Sequence, residues 1–369
     1  MSVLPFISKD TYNPHTFEYI PSSILSISEG KENTPSLEEW MQIFYNSIEY
    51  FAGMARKDDQ VENPEERAEV FASRYREKLD TLMKREYEDV RSQLNCLNLC
   101  RMREECLVEA GFSDIFVKIK HKENMESIKL LPSICKELDC ISSSDTKNQL
   151  WETLIRNMCA ANIFDLGSAH TANMYHENDF CFEASRNMLF PRPWAIDDVE
   201  KFCHRMMSHV YNKAMMFVDN SGADVMLGML PFARELLSQK VVKSVVIAAN
   251  SHPSINDITY KELVDLLPTI CEADAKLREH IQLGRLKIIP SGSGLPVIDL
   301  ASDAISDEVH KEAQDTDLLV LEGMGRSIET NLFADLRIDS LRIGMVKHRE
   351  VASCLNCELM DCVVKFCTI

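Results

Sequence analysis

Apolar residues follow different spacings in the two parts of the chain. Up to about residue 150 they recur at helical intervals, as Trp40, Phe44, Ile48 and Phe51 do in SLEEWMQIFYNSIEYFAGMA. Later in the chain, short apolar runs alternate with helical patterns, and each run predicts a β-strand. The strand candidates are KAMMFVDN, SVVIAAN, RLKIIPSG, DLLVLEG, RIGMVKH and DCVVKFCTI.

This alternation of strand and helix predicts an α/β fold. Near-continuous apolar strands indicate a parallel sheet covered on both faces, so we expect a doubly wound three-layer α/β/α domain over residues 151–369. Residues 1–150 are expected to form a helical subdomain that begins with an extended arm, which Pro14 and Pro21 mark. Because no repeat or low-complexity linker separates the two parts, we expect a soft boundary and a shared core.

Local signals place several helix ends. Ser36 has the properties of an N-cap, and Asn63 followed by Pro64 is typical of a helix start. Gly111 is suited to the C-cap position at the end of a helix. From Lys147, the segment KNQLWETLIRNMCAANIFDLGSAHTANMYH predicts a connecting helix that leads toward the sheet.

Composition narrows the class of protein. The 369 residues are 45% hydrophobic and carry a formal net charge of -18. Phosphate backbones and anionic membranes need clustered Lys and Arg, so this acidic balance argues against both partners. No segment approaches the roughly 20 apolar residues of a membrane span. We expect a globular protein. If such an acidic protein handles small phosphate esters, it should concentrate its few useful positive charges, with or without a metal ion, inside one cleft.

The 13 cysteines are irregularly spaced, and no signal-peptide pattern precedes them. We therefore expect free thiols and a cytoplasmic location, because disulfides are rare in a reducing compartment. Cys354 and Cys357 form a C-x-x-C. However, Cys362 and Cys367 have the wrong spacing for a zinc ribbon and lie in a strand candidate. The sequence makes no prediction of oligomeric state.

Polar clusters follow the first two strand candidates. Asp219 and Asn220 end one strand, and Asp257 closes the loop after the next. Carboxyl ends of neighbouring parallel strands meet at one sheet edge, where ligands bind. Three hard oxygen ligands of this kind suit Mg²⁺ or Mn²⁺. The alternative is that these residues are turn or cap residues, with Ser254 to Asp257 spaced as a capping box and Asp224 complementing a helix dipole.

The segment EGMGRSIETNL predicts a loop from strand to helix that can hold an anion. Gly323 and Gly325 would present backbone N–H groups, and Arg326 would make a bidentate contact to phosphate. The alternative is a tight turn with a solvated arginine.

A lysine ends another strand candidate. Lys347 would face the same sheet edge as Asp219, although a lysine in this position is more often exposed and inert. The neighbouring His348, and His252 in the Asp257 loop, are candidate acid–base groups, although such histidines more often have structural roles.

Several familiar motifs are absent from the sequence. It contains neither a G-x-x-x-x-G-K-[ST] phosphate loop nor an H-E-x-x-H zinc helix, and SGSGLPVIDL holds only a G-x-G, which is not a dinucleotide fingerprint. Ser221 stands where a haloacid-dehalogenase-type phosphatase needs its second carboxylate.

The motifs taken together resemble a known family. FVDNSGADVMLGMLPFARELL, AANSHPSINDIT, VIDL, EGMGR and GMVKH resemble the metal-dependent damage-control phosphatase family. The EGMGR loop is typical of its second subfamily, which includes stand-alone plant phosphatases and the phosphatase domain fused to an inactive pantothenate kinase. The resemblance covers nearly the whole chain, because it extends to RAEVFASRY, LCRMREECL, GFSDIF, NIFDLGSA and PRPWAIDD.

The resemblance implies a role for each matching residue. It implies that the metal is held by Asp219, Asn220 and Asp257, that Asp224 is a substrate-contacting acid, and that Asn162 lies near the site. It also implies that phosphate is contacted by Glu322, Gly323, Gly325, Arg326 and Lys347. The chain departs from the family pattern at Ala161, Ser293 and Gly294, and none of these is a predicted metal ligand.

These expectations describe a phosphomonoesterase with a divalent cation, Mn²⁺, Mg²⁺, Co²⁺ or Ni²⁺. Asp219, Asp224 and Lys347 are the expected catalytic residues, with Asp224 or the free edge of Asp219 orienting the nucleophile. Direct attack by water and an aspartyl-phosphate intermediate both remain open. The resemblance points to 4'-phosphopantetheine and its oxidised forms as substrates, with sugar phosphates second. A carboxyl methyltransferase and a non-catalytic metabolite sensor are less favoured hypotheses for the same chain.

Overall fold

A seven-stranded sheet forms the centre of the C-terminal part. The computed structural model describes residues 3–26, 34–143, 147–163 and 182–369. The spatial order of the strands is β1-β7-β6-β5-β2-β3-β4. The strands are β1 Ile196–Asp197, β2 Tyr211–Phe217, β3 Val242–Ala249, β4 Leu286–Pro290, β5 Leu318–Glu322, β6 Asp339–Met345 and β7 Cys362–Cys367.

The sheet confirms the α/β class and all six predicted strands, but it is not wholly parallel. Strands β6, β5, β2, β3 and β4 run parallel to one another. Strand β7 pairs antiparallel with β6, and the short β1, which the apolar pattern did not predict, pairs parallel with β7.

Fourteen α-helices are present in the described part of the chain. Those before the sheet are α1 Ser22–Leu25, α2 Leu37–Ala55, α3 Pro64–Met83, α4 Tyr87–Val90, α5 Cys96–Glu109, α6 Val117–Ser142, α7 Lys147–Ala161 and α8 Phe182–Met188. Those among the strands are α9 Val199–Ser208, α10 Leu230–Ser238, α11 Tyr260–Ala273, α12 Ala275–Gln282, α13 Asp307–Glu312 and α14 Arg349–Leu355.

Side-chain alternation along the strands creates two buried faces. On β2, Ala214 and Met216 belong to the apolar cluster that includes α6, α7, α9 and α10. Met215 and Phe217 belong to a cluster on the opposite face, which α13 and the N-terminal arm cover. Successive strand residues point to opposite faces, so a sheet buried on both sides needs apolar residues at every position. This explains the continuous apolar runs in the sequence.

The helical part packs against the sheet through a third cluster. Trp40 of α2 and Phe71 of α3 lie in one cluster with Val346, Val351 and Val363 of the C-terminal part. Leu131 of α6 belongs to the cluster on the sheet face. The division into residues 1–150 and 151–369 stays a prediction.

The N-terminal arm runs along the loop that follows the EGMGR segment. Asn331 N–H donates to the carbonyl of Pro14 at 2.8 Å, and Arg337 N–H donates to that of Phe6 at 2.8 Å. The Tyr12 hydroxyl donates to Asn331 Oδ1 at 2.7 Å. The first residues of the chain therefore fix the loop that ends the predicted phosphate-binding segment.

Most predicted helix ends are confirmed. Ser36 caps α2 through a capping box with Glu39. Asn63 and Pro64 begin α3, although the Asn63 side chain makes no capping bond. Gly111, with φ +95°, follows the end of α5. The connecting helix ends at Ala161, and residues 164–176 of that prediction, including most of NIFDLGSA, lie outside the described residues.

The described cysteines are all free thiols, as predicted. Within the described ranges, none of the helices has the length and apolar composition that crossing a membrane requires.

Two adjacent leucines of α6 test the packing of helix on sheet. Leu131 is 0% exposed and Leu130 is 43% exposed. Leu131→Ala should lower the free energy of unfolding by about 2–5 kcal/mol, because removing a buried isobutyl group leaves a cavity. Leu130→Ala, the matched control, should leave it almost unchanged. Urea denaturation followed by circular dichroism measures both, and equal losses in the two variants would contradict this packing.

Candidate metal and phosphate site

The predicted site residues gather at the carboxyl ends of β2, β3, β5 and β6. The chain proceeds outward in one direction from β2 to β3 and in the other from β5 to β6, so β2 and β5 flank the topological switch point. Each of these two strands leads into a π-helical turn, Asp224–Met229 after β2 and Met324–Glu329 after β5. Such turns are rare and occur frequently at functional sites.

Backbone hydrogen bonds join the loops after β2 and β3. Ile258 N–H donates to the carbonyl of Asp219 at 3.0 Å, and Ser221 N–H donates to that of Asn256 at 2.9 Å. Thr259, with Glu262, caps α11, so Asp257 is not the cap that its spacing allowed. Asp257 is thereby held beside the Asp219–Asn220 pair, and its side chain does not cap the helix.

Arg326 connects three of the loops. Its guanidinium group is buried and donates to Asp219 Oδ1 and, at 2.6 Å, to Asp257 Oδ2. It also donates to Asn250 Oδ1 at 3.1 Å. The sequence argument did not single out Asn250, which in turn donates to Asp257 Oδ2 at 3.0 Å. Arg326 therefore spans the two predicted metal-binding carboxylates, and its contact to phosphate stays a prediction.

A second set of hydrogen bonds arranges the acids on the other side of Asp219. Asn162 Nδ2 donates to Asp224 Oδ2 at 2.9 Å and to Glu322 Oε1 at 3.2 Å. Asn220 Nδ2 donates to the same Asp224 oxygen at 2.7 Å. Asp219 N–H donates to Glu322 Oε2 at 3.0 Å. The side-chain amide groups of the two asparagines thus hydrogen-bond to these carboxylates, which holds them close together and fixes their orientation.

Asp219, Asp224 and Glu322 form a buried acidic triad that could bind a metal ion. One carboxylate oxygen from each lies within 4.8 Å of the others. Burial raises the pKa of Asp219 well above its ordinary value, and the Arg326 guanidinium opposes the shift. Burial likewise raises the pKa of Glu322. Carboxylates that are close together and desolvated favour either protonation or a cation.

The predicted metal set and the observed triad share only Asp219. The predicted set adds Asn220 and Asp257, and the triad adds Asp224 and Glu322. Asn220 Oδ1 is buried and makes no hydrogen bond to the described residues, as expected of an oxygen reserved for a ligand. All five side chains are oxygen donors, which suits a hard divalent cation.

The two glycines of EGMGR have different roles. Gly323, at φ +94°, donates its N–H to the carbonyl of Ile343, so that N–H is already used within the sheet. A Cβ at this position would clash with the Asp219 carboxylate. Gly323 therefore allows close approach to the carboxylate. Gly325 lies in the first turn of the following helix, where N–H groups lack intrahelical acceptors.

A cavity of about 350 Å³ opens onto this cluster. Asp219, Gly325 and Lys347 line this cavity, and so do Phe44 and Tyr50 of α2. His348 also lines it and contacts Glu329 Oε1 at 3.1 Å. His252, the other predicted acid–base candidate, lies in the wall of a different cavity.

Comparisons with known proteins define the class. The chain is 43% identical over 364 residues to a damage-control phosphatase of Arabidopsis thaliana, covering 98% of this chain and 95% of that protein. It is 30% identical over 349 residues to the 4'-phosphopantetheine phosphatase of Mus musculus, covering 82% of this chain but only 42% of that protein. The chain is a phosphatase.

The family model for the damage-control phosphatase ARMT1-like domain matches residues 36–363. The chain belongs to this family, as its motifs predicted. A crystal structure of a DUF89 family protein from Pyrococcus horikoshii has the same fold, with a TM-score of 0.54 at 18% identity, covering 88% of this chain and 96% of that one.

Two glycines with positive φ test the approach to Asp219. Gly323→Ala places its Cβ against the Asp219 carboxylate, and we expect the displacement to lower kcat of the phosphatase about 100-fold. Gly284→Ala is the control, because Gly284 has φ +66° but open space around a Cβ. It introduces similar backbone strain without a clash and should keep its activity. Steady-state kinetics measure both, and a fully active Gly323→Ala enzyme would refute the close approach.

Proposed function

We propose that this protein hydrolyses phosphate monoesters of small metabolites with the help of a bound divalent cation. One observation carries the proposal. Buried carboxylates at the switch point of the sheet converge within 4.8 Å of one another, and one of them, Asp219, lines a cavity that the buried Lys347 also lines. A phosphate ester with its counter-cation matches this combination of negative and positive charge.

Asp219, Asn220 and Asp257 are the proposed metal ligands, and Asp224 and Glu322 lie close enough to complete or replace them. When bound, a divalent cation at such a site polarises phosphoryl oxygens and lowers the pKa of a coordinated water. Mn²⁺, Mg²⁺, Co²⁺ and Ni²⁺ are the candidate ions, because all accept oxygen ligands.

The protein's own groups hold the phosphate and the water. The Lys347 ammonium and the Gly325 N–H would neutralise the charge that builds on the phosphoryl oxygens. Arg326 would also bind the phosphoryl oxygens, once a bound cation takes over part of its interaction with Asp219 and Asp257. Asp224, held by two asparagines, would orient the attacking water, whose oxygen forms a bond to phosphorus as the ester P–O bond breaks.

For the substrate, we propose 4'-phosphopantetheine and its oxidised forms. The mouse relative that is 30% identical is named for hydrolysing this compound. The cavity supports an elongated substrate, because it combines aromatic side chains with the amide groups of Gln42 and Asn46 and the hydroxyl group of Ser47. An arm with two amide groups can hydrogen-bond to such a wall while its alkyl segments contact the rings.

The ligand assignment is tested by removing one charge at a time. Asp219→Asn and Asp257→Asn should each lose Mn²⁺ binding in calorimetry and lose turnover, because an amide is a poorer ligand for a hard cation. Asp315→Asn is the control, since Asp315 is exposed at the opposite, amino edge of the sheet. Full activity in both site variants would refute the proposed site.

The substrate is tested by comparing esters on one enzyme. We expect a higher kcat/KM for 4'-phosphopantetheine and its S-oxidised derivatives than for sugar phosphates or p-nitrophenyl phosphate. Ser47→Phe should narrow the cavity and reduce kcat/KM for the long substrate more than for p-nitrophenyl phosphate. Ser133→Phe on the exposed face of α6 is the matched control. A preference for sugar phosphates that survives Ser47→Phe would reject the pantetheine assignment.

A further inference from the structure

Lys120 of α6 is a charged side chain that the proposed reaction does not use. It is 0% exposed, and its ammonium nitrogen lies 2.7 Å from Asp114 Oδ2 and 2.8 Å from Glu262 Oε1. Its third neighbour is the backbone carbonyl of Asp257, at 3.5 Å. An ammonium group has three N–H donors, and all three have an acceptor here. Burying such a group costs several kcal/mol before these contacts offset it, so its position calls for a reason.

The contacts of Lys120 fix the segment that carries Asp257 at two points. Asp257 stands at the start of this segment, and Glu262 lies in the first turn of α11. Glu262 also accepts the Thr259 N–H at 2.8 Å, which closes the capping box. The Lys120 ammonium group therefore holds both the carbonyl of Asp257 and the helix that follows it. As a result, Asp257 has little freedom to rotate away from Asp219.

One helical turn further along, α6 holds the other site loop. Asn124 Oδ1 accepts the Gly222 N–H at 2.7 Å. Gly222 has φ +79°, and a Cβ there would lie 2.8 Å from the Cβ of Glu123, so the loop approaches α6 more closely than a side chain would permit. Residues four apart lie on the same helix face. A single face of α6 therefore contacts both loops that carry proposed metal ligands.

The charge of Lys120 is balanced locally. Asp114 and Glu262 both pair with it, and neither belongs to the acidic triad. We therefore expect Lys120 to affect a cation at the site mainly through the position of the Asp257 segment.

We propose that Lys120 is a positioning residue that holds the Asp257 loop at the distance from Asp219 that a divalent cation requires, with Asn124 holding the Asp219 loop in the same way. This inference rests on the proposed metal-dependent function. It assigns part of the helical region to the preparation of the metal site.

Lys213 provides a matched control. It is 9% exposed, and its ammonium group pairs with Glu312 at 2.6 Å and with Asp315 at 2.5 Å. It lies near the start of β2, at the sheet edge opposite the site. Lys120→Met leaves Asp114 and Glu262 without their ammonium group. Lys213→Met does the same to Asp315, whereas Glu312 keeps its contact with Lys287 at 3.1 Å. Both variants should therefore lower the thermal unfolding temperature.

Only Lys120→Met should weaken the binding of Mn²⁺ to the apoprotein, by about 10–100-fold in isothermal titration calorimetry, because outer contacts of metal ligands have effects of this size. Its kcat should fall with the affinity, whereas Lys213→Met should keep both. Equal Mn²⁺ affinity in the two variants, with an active wild type, would overturn the role of Lys120 and leave the proposed function intact.

Asn124 keeps the inference testable if Lys120→Met fails to fold. Asn124→Leu removes the acceptor for Gly222, whereas Asn124→Asp retains an oxygen there. We expect weaker Mn²⁺ binding in the leucine variant and rescue in the aspartate variant, and equal binding in both would overturn the proposal.

A wild-type protein that binds Mn²⁺ but hydrolyses none of the esters would reject the proposed substrates alone. A wild-type protein that binds no divalent cation would overturn both.

Discussion

The site depends on the buried ion pairs that Arg326 makes with Asp219 and Asp257. These pairs join the loops after three neighbouring strands, and they place a delocalised positive charge among carboxylates that would otherwise repel one another. Burial raises the pKa of Asp219 and Glu322, so the acids cannot all be ionised without compensation. An added cation would relieve the same repulsion. The fold therefore holds an excess of buried negative charge that a bound metal ion would compensate, and the metal ion would in turn attract a phosphate ester.

Much of the fold was predictable because its strands are buried on both sides. Every residue of β2 except Asn212 is buried, and such runs stand out in a sequence. The reversal of β7 was not predictable from the same signal, because an apolar run has no direction. Strand β1 is two residues long and has no periodicity to detect. The family of the chain was predictable for a different reason, since its motifs cover both parts of the chain.

The gathering of Asp219, Asn220 and Glu322 at one edge of the sheet was predictable, because each stands at or just beyond the carboxyl end of a strand. Asn250 ends β3 in the same manner, but a lone asparagine after an apolar run is also an ordinary turn residue. The contribution of α6 could not be foreseen. Lys120 lies 137 positions from Asp257 and Asn124 lies 98 from Gly222, and helical spacing alone cannot separate a buried polar face from an exposed one. The metal identity, the substrate and the cytoplasmic location stay predictions.

The N-terminal arm imposes an order on the assembly of the enzyme. Tyr12 and its hydrogen-bond partner Asn331 are 319 positions apart. The arm is synthesised before the loop that it contacts, and N-terminal segments begin to fold before the rest exists. The loop beyond the glycine-rich turn can be secured only when most of the polypeptide has been made. A nascent chain that stops short of Asn331 therefore lacks the contact that secures this loop, so this part of the site is completed late in synthesis.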